Sequence, residues 1–178
     1  VSGNRTTREK VILRETGLRE GMIFRRDAVM DIQGRLKKLD FILSAAPDVS
    51  FEGSRADLVI RVEEGNANTM DGVLGYHPPD GDRDAGYFTG RLSFIFRNLF
   101  GTGRYLEAYW EKKDSHSQMM RLGAEEPWIF GMPLHAGGRF LQEIRDTTYV
   151  ERRLTVHTRA VPWPQLEFLL TLGRKEIL

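Results

Sequence analysis

The sequence has no cysteine among its 178 residues, which excludes disulfides, zinc–thiolate sites and cysteine nucleophiles together. It also lacks a dominant charge, since 26 Lys and Arg stand against 25 Asp and Glu for a net of +1. Without a basic field there is little to hold a phosphate backbone, so nucleic acid is not an expected partner. Long apolar runs are missing too: stretches such as residues 168–172 fall far short of the roughly 20 residues that a spanning helix needs. A transmembrane β-barrel stays open, because its strands alternate in polarity and keep the mean hydropathy low, here −0.40. The chain opens on Val1-Ser2-Gly3-Asn4, with no initiator methionine, apolar signal core or cleavage site, and reads as a fragment.

What is present is enough to fold. Hydrophobic residues make up 40%, aromatics 10% and charged residues 29%, a globular composition of a length that suits one ordinary domain or two small ones. Residues 1–65 carry helical signals. Thr6 and Glu9 stand at capping-box spacing before Val11, Ile12 and Leu18, which predicts a helix over residues 7–16 ended by Gly17. Val29, Ile32, Leu36 and Leu39 then recur on one helical face, with Asp31, Gln33, Arg35 and Lys38 on the other and Asp27 in the first turn. Two strands follow, near 42–51 and 56–63, where Leu58, Ile60 and Val62 alternate with Val59, Arg61 and Glu63. With a strand stub at the first three residues, the predicted order is β-α-α-β-β.

From Asn66 onward the period changes to two. Phe88, Gly90, Leu92, Phe94 and Phe96 fall on one face, with Thr89, Arg91, Ser93, Ile95 and Arg97 on the other. The same alternation sets Leu106, Ala108 and Trp110 against Tyr105, Glu107, Tyr109 and Glu111, and continues through Leu122, Phe140, Val156, Phe168 and Leu172. About seven strands result if residues 69–76 form the first. A soluble sheet with one face on a core would alternate likewise. Three features match a membrane wall: strands near the roughly 9–11 residues that a tilted span needs, ions of both signs on the polar face, and aromatics at strand ends. Those aromatics are Phe100, Trp110, Trp128, Phe130, Tyr149 and Trp163. Connections alternate between tight turns at Gly101-Thr102-Gly103 and Gly131-Met132-Pro133 and polar loops at 77–84 and 112–117. The residues alone leave the soluble sheet and the membrane barrel both open.

Five spaced motifs carry a resemblance. Val1-Ser2-Gly3-Asn4-Arg5-Thr6, followed by Val11-Ile12-Leu13-Arg14-Glu15, Gly21 and Phe24, resembles the start of a POTRA (polypeptide-transport-associated) domain, and Val62-Glu63-Glu64-Gly65 resembles the end of one. Gly72-Val73-Leu74-Gly75-Tyr76 is similar to a first barrel strand. Asn98-Leu99-Phe100-Gly101-Thr102-Gly103-Arg104 and Glu126-Pro127-Trp128-Ile129-Phe130-Gly131 are similar to the turns after strands two and four. Together these resemble the outer-membrane assembly factors typified by BamA and TamA. The resemblance implies an α+β POTRA domain over residues 1–65, followed over 66–178 by the N-terminal part of a transmembrane β-barrel, antiparallel and truncated at about seven strands. That part alone cannot close, and open sheet edges are costly in lipid.

The function so implied is assembly and insertion, with no catalysis. Gly72, Val73, Leu74, Gly75 and Tyr76 would bind a client β-strand at a lateral gate by main-chain hydrogen bonds; Asn98, Gly101, Gly103, Pro127 and Trp128 would form periplasmic turns. Implied partners are unfolded outer-membrane client proteins, outer-membrane lipids and lipoprotein accessory subunits. The barrel would sit in the bacterial outer membrane and the POTRA domain in the periplasm, with no cofactor or metal. Two alternatives are a secretion pore of the same superfamily and a soluble β-rich binding module. Gly72 and Gly75 fit a weakly held first strand, or else relieve crowding or mark a bulge. Pro47 either interrupts a client-binding edge at 42–51 or blunts it against aggregation.

Other motifs are weaker. Gly101-Thr102-Gly103 opens a phosphate-loop pattern, but Leu106 and a following strand contradict it. Asp80, Asp82 and Asp84 have calcium-loop spacing, yet Ala85 and Arg91 stand where Gly and Glu are needed, which leaves a solvated acidic loop. Asn4-Arg5-Thr6 is a glycosylation sequon that a helix cap explains. His77, His116, His135 and His157 are scattered, with no chelating pair. Arg91, Arg97, Glu107, Arg121, Glu125, Arg139, Glu143 and Arg159 are expected to face a hydrated lumen, ion-paired across strands.

Overall fold

A computed structural model describes residues 1–79, 85–146, 149–163 and 166–178. The Asp80, Asp82 and Asp84 loop lies outside the described residues. The chain forms two compact units: Val1–Ala67 with Arg97–Gly103, and Asn68–Phe96 with Arg104–Leu178.

The first unit contains α1 (Glu9–Thr16), α2 (Arg26–Leu36), β1 (Ile42–Glu52) and β2 (Arg55–Glu64). The helices form because their apolar residues share one face: Val11 and Ile12 from α1 and Ile32 and Leu36 from α2 are wholly buried. They pack with Phe41, Ile42, Ala45, Ile60 and Val62 in one core, and burying each such side chain contributes about 1.5–3 kcal/mol. Gly17 ends α1 with a left-handed φ of 69°, its N–H bonded to the Arg14 carbonyl. α2 ends three residues before Leu39, whose N–H bonds to the Leu36 carbonyl in a turn at 3.0 Å. β1 and β2 pair antiparallel through a hairpin from Glu52 to Arg55. Ser2 adds to β2 in parallel, donating to the Ile60 carbonyl and accepting from the Val62 N–H, both at 2.9 Å. The β-α-α-β-β order is therefore present, its first strand reduced to a bridge at Ser2.

One local expectation fails. The N-cap of α1 is Arg8, with extended backbone and no side-chain cap bond, so Thr6 and Glu9 build no capping box. The Thr6 N–H donates instead to the Glu64 carboxylate at 2.9 Å. A carboxylate that gathers several N–H groups binds more strongly than a neutral hydroxyl and fixes the backbone ahead of the helix differently.

The second unit is an open sheet of seven strands in sequence order: β3 (Asn68–His77), β4 (Tyr87–Leu99), β5 (Arg104–Lys112), β6 (Gln118–Glu126), β7 (Leu134–Arg145), β8 (Tyr149–Trp163) and β9 (Leu166–Ile177). The last residues of β4, from Arg97, belong to the first unit. Antiparallel register sets Leu122 opposite Phe140, Phe140 opposite Leu154 and Val156 opposite Leu172, so the apolar residues form one continuous face. Among the described residues the buried hydrophobic core lies wholly in the first unit. Leu122, Leu154, Val156, Phe168, Leu170 and Leu172 are exposed. Among the described residues no second layer covers them, unlike the inner face of a soluble sandwich.

Candidate functional site

β3 is an edge of the seven-stranded sheet, with β4 as its one strand neighbour. Gly72, Val73, Leu74, Gly75 and Tyr76 occupy its middle and are all exposed. Their outer main-chain row has no strand partner among the described residues, a geometry to which an extended peptide can add. β3 pairs with β4 from Asn68 opposite Phe96 to His77 opposite Tyr87 without a register shift, which removes the bulge reading of its glycines. Crowding does apply at Gly72, where an added Cβ would stand 2.6 Å from Leu92 Cδ2. Gly75 is less confined, with Thr89 Oγ1 at 3.1 Å from such a Cβ. At the end of β3, Tyr76 and Phe88 meet at 5.0 Å and His77 stacks on Tyr87 at 4.9 Å.

The predicted turn residues fall into two separate turns. Asn98, Gly101 and Gly103 close the β4–β5 turn: the Gly101 N–H bonds to the Asn98 carbonyl at 3.0 Å, and the Gly103 N–H to Asn98 Oδ1 at 2.8 Å. Pro127 and Trp128 precede a single 3-10 turn, Ile129–Gly131, between β6 and β7. Phe100, Trp128 and Phe130 all hold left-handed φ values near 55° (56°, 56° and 54°), an unusual state for aromatic residues that only a well-determined turn maintains. The polar β5–β6 loop is organised by Asp114, which accepts the His116 and Ser117 N–H groups at 2.8 and 2.7 Å. Those bonds lower its carboxyl below the usual range.

The polar face carries some of the expected cross-strand ion pairs, whereas Glu143 pairs with Arg145 of its own strand. Arg121 meets Glu107 at 3.3 Å, and Arg91 meets Asp71 at 3.4 Å. Arg97 departs from the pattern: it pairs with Asp40 of the first unit at 3.6 Å, because the strand end that carries it belongs there. The scattered-histidine reading is also corrected. His135 Nδ1, His157 Nε2 and Arg159 Nη2 all lie 3.3 Å from the Glu125 carboxylate. His157 and Arg159 of β8 reach Glu125 of β6 across β7, where Gly137 leaves the gap. The signal was the hairpin register, which sets His135 opposite Arg159 and Gly137 opposite His157. Among the described residues no three His or carboxylate side chains are placed to hold a metal ion.

Two further residues had no sequence signal. The Glu64 carboxylate accepts the N–H groups of Arg5, Thr6 and Thr7 at 3.1, 2.9 and 2.7 Å. Burial alone would raise its pKa, but the Thr7 hydroxyl and these N–H groups outweigh burial and hold it below the usual range. The other is Thr7, itself buried, whose hydroxyl accepts from Asn98 at 2.8 Å.

Known proteins share these features. The family model described as "POTRA: Surface antigen variable number repeat" matches residues 1–65. A "Putative outer membrane protein assembly factor" of Treponema pallidum (strain Nichols) is 31% identical over 145 residues, which is 79% of this chain and 17% of the relative. "Outer membrane protein assembly factor BamA" of Neorickettsia risticii (strain Illinois) is 33% identical over 103 residues, 57% of this chain and 13% of that protein. In fold, the chain is similar to the crystal structure of BamA from Haemophilus ducreyi lacking POTRA domains 1-3. That likeness has a TM-score of 0.65 at 17% identity, covering 98% of this chain and 34% of the other. A POTRA domain continued by a meander of barrel-type strands with an uncovered apolar face defines the class. Within it, the POTRA match, the two curated relatives and the fold together support a BamA-type family. It spans less than a fifth of the length of either curated relative.

Proposed function

We propose that residues 1–65 form a periplasmic POTRA domain and residues 66–178 the N-terminal part of an outer-membrane barrel, and that the protein inserts client β-strands through the free edge of β3. Clients are unfolded outer-membrane proteins. Lipids of that membrane surround the apolar face, and lipoprotein accessory subunits assist on the periplasmic side. An incoming strand adds to residues 72–76 by main-chain hydrogen bonds, so recognition tolerates many sequences, and the edge serves as one side of a lateral gate. The turns at Asn98, Gly101 and Gly103 and at Pro127 and Trp128 face the periplasm. No bond is made or broken. The observation that carries this reading is the position of β3: an exposed edge strand, regular in register and bearing Gly72 and Gly75.

These 178 residues contain no cysteine, so any cysteine at β3 is an introduced one. Val73→Cys, Leu74→Cys or Gly75→Cys is introduced into the complete protein, and one cysteine into the terminal strand of a stalled client. Crosslinks are expected at β3 and absent from Ala108→Cys on the interior strand β5. Equal yields at both strands would remove β3 from the mechanism.

A further inference from the structure

The β4–β5 turn has features that a free hairpin turn does not need. Asn98 and Thr7 are 4% and 3% exposed, and they satisfy each other through the 2.8 Å bond from Asn98 Nδ2 to Thr7 Oγ1. The other side-chain atom of Asn98, Oδ1, accepts the Gly103 N–H. The Arg8 N–H donates to the Gly101 carbonyl at 2.9 Å, and Arg14 Nη2 donates to the Thr102 carbonyl at 3.1 Å. Gly101 has a φ of 71°, and a Cβ there would stand 2.0 Å from the Thr6 carbonyl oxygen. Only glycine permits that approach. The backbone at residues 5–7 that receives the turn is itself fixed by Glu64. Two buried polar side chains, a glycine required by close approach and bonds to the turn's carbonyls from the Arg8 N–H and the Arg14 side chain describe a folded element, because buried polar groups persist where their partners are built in.

We infer that residues 98–103 are an integral element of the POTRA unit, and that Thr7 and Asn98 are positioning residues that fix the turn to it. The unit then extends beyond the 1–65 segment that the family model matches. Its backbone continues into the strand region at residues 67–68, 96–97 and 103–104. This holds whether or not β3 receives clients.

Amide-resolved hydrogen exchange on the complete protein tests it. The reporter is the Arg8 N–H, whose acceptor is the Gly101 carbonyl, so substitution at residue 98 alters neither partner. Asn98→Leu removes both side-chain bonds of Asn98 and is expected to speed Arg8 exchange at least tenfold. Asn98→Asp keeps an acceptor for the Gly103 N–H but loses the donation to Thr7 Oγ1, whose own hydroxyl bonds Glu64, and is expected to exchange at a rate between those of the parent and Asn98→Leu. Ile12, in the core of α1, serves as the folding monitor. If Asn98→Leu exposes Ile12 as well, a residue outside 1–65 supports the POTRA core and the inference stands in its stronger form. Unchanged exchange at Arg8 and Ile12 in both Asn98→Leu and Gly101→Ala would overturn it.

Discussion

Glu64 fixes the backbone ahead of α1. Its two oxygens gather three consecutive N–H groups, which holds Thr6 away from the cap position that Arg8 occupies. Each bond involves a charged acceptor and so is stronger than its neutral counterpart. The folded-state pKa is lowered, so at acid pH the folded chain binds fewer protons at this site than the unfolded chain. Its stabilisation is complete above the unfolded value of about 4.3 and fades as pH falls through the lower folded value. Glu64→Gln keeps one acceptor oxygen and the shape. It should cost on the order of 1 kcal/mol at pH 7, discounted for partial exposure, and less at pH 2, where protonation has begun to remove the charge. Exchange rates of the Thr6 and Thr7 amides at the two pH values check this: a variant that differs equally from the parent at both would show that charge is not the cause.

At the scale of elements, β7 presents two adjacent glycines to opposite faces, and their surroundings differ. A Cβ at Gly137 would stand 2.6 Å from the His157 ring and 2.8 Å from the Ala124 carbonyl, whereas at Gly138 the nearest atom, the Thr155 carbonyl oxygen, is at 3.6 Å. Gly137→Ala should displace His157 from Glu125 and destabilise the complete protein by about 1–3 kcal/mol. Gly138→Ala should change stability by less than about 0.5 kcal/mol. Denaturant titrations in one detergent compare the two, and equal losses would mean that the cross-strand cluster needs no gap. The same contrast separates what was legible from what was not. Helical spacing exposed Val11, Ile12, Ile32 and Leu36, and alternation exposed the faces of β4 to β9, because both are local periods that burial or exposure reads directly. The His135–Glu125–His157 cluster depends on register between strands, and the Asn98–Thr7 bond joins residues 91 apart. Neither leaves a local trace. Thr6 and Glu9 had the local trace of a cap, and the contact with Glu64, 58 residues from Thr6, overrode it.

For the whole molecule, the decisive property is which face of the second unit meets hydrocarbon. Thr171 and Leu172 are neighbours in the middle of β9 and point opposite ways: Thr171 stands opposite His157 on the polar face, and Leu172 opposite Val156 on the apolar one. Leu172 is 66% exposed, a large apolar side chain that water alone would not favour in such numbers along one face. If that face contacts lipid, Leu172→Lys places a charge near the bilayer midplane and should cost about 2–4 kcal/mol. Thr171→Lys adds the same charge to a hydrated face that already carries Glu151, Arg153 and Lys175 in ion pairs, and should cost under about 1 kcal/mol. Denaturant unfolding of the complete protein, refolded into bilayers, measures both. The asymmetry should vanish in a water-soluble unit and invert if the two faces have been assigned the wrong way round, so the sign of the difference between two adjacent residues identifies the solvent on each side of the sheet.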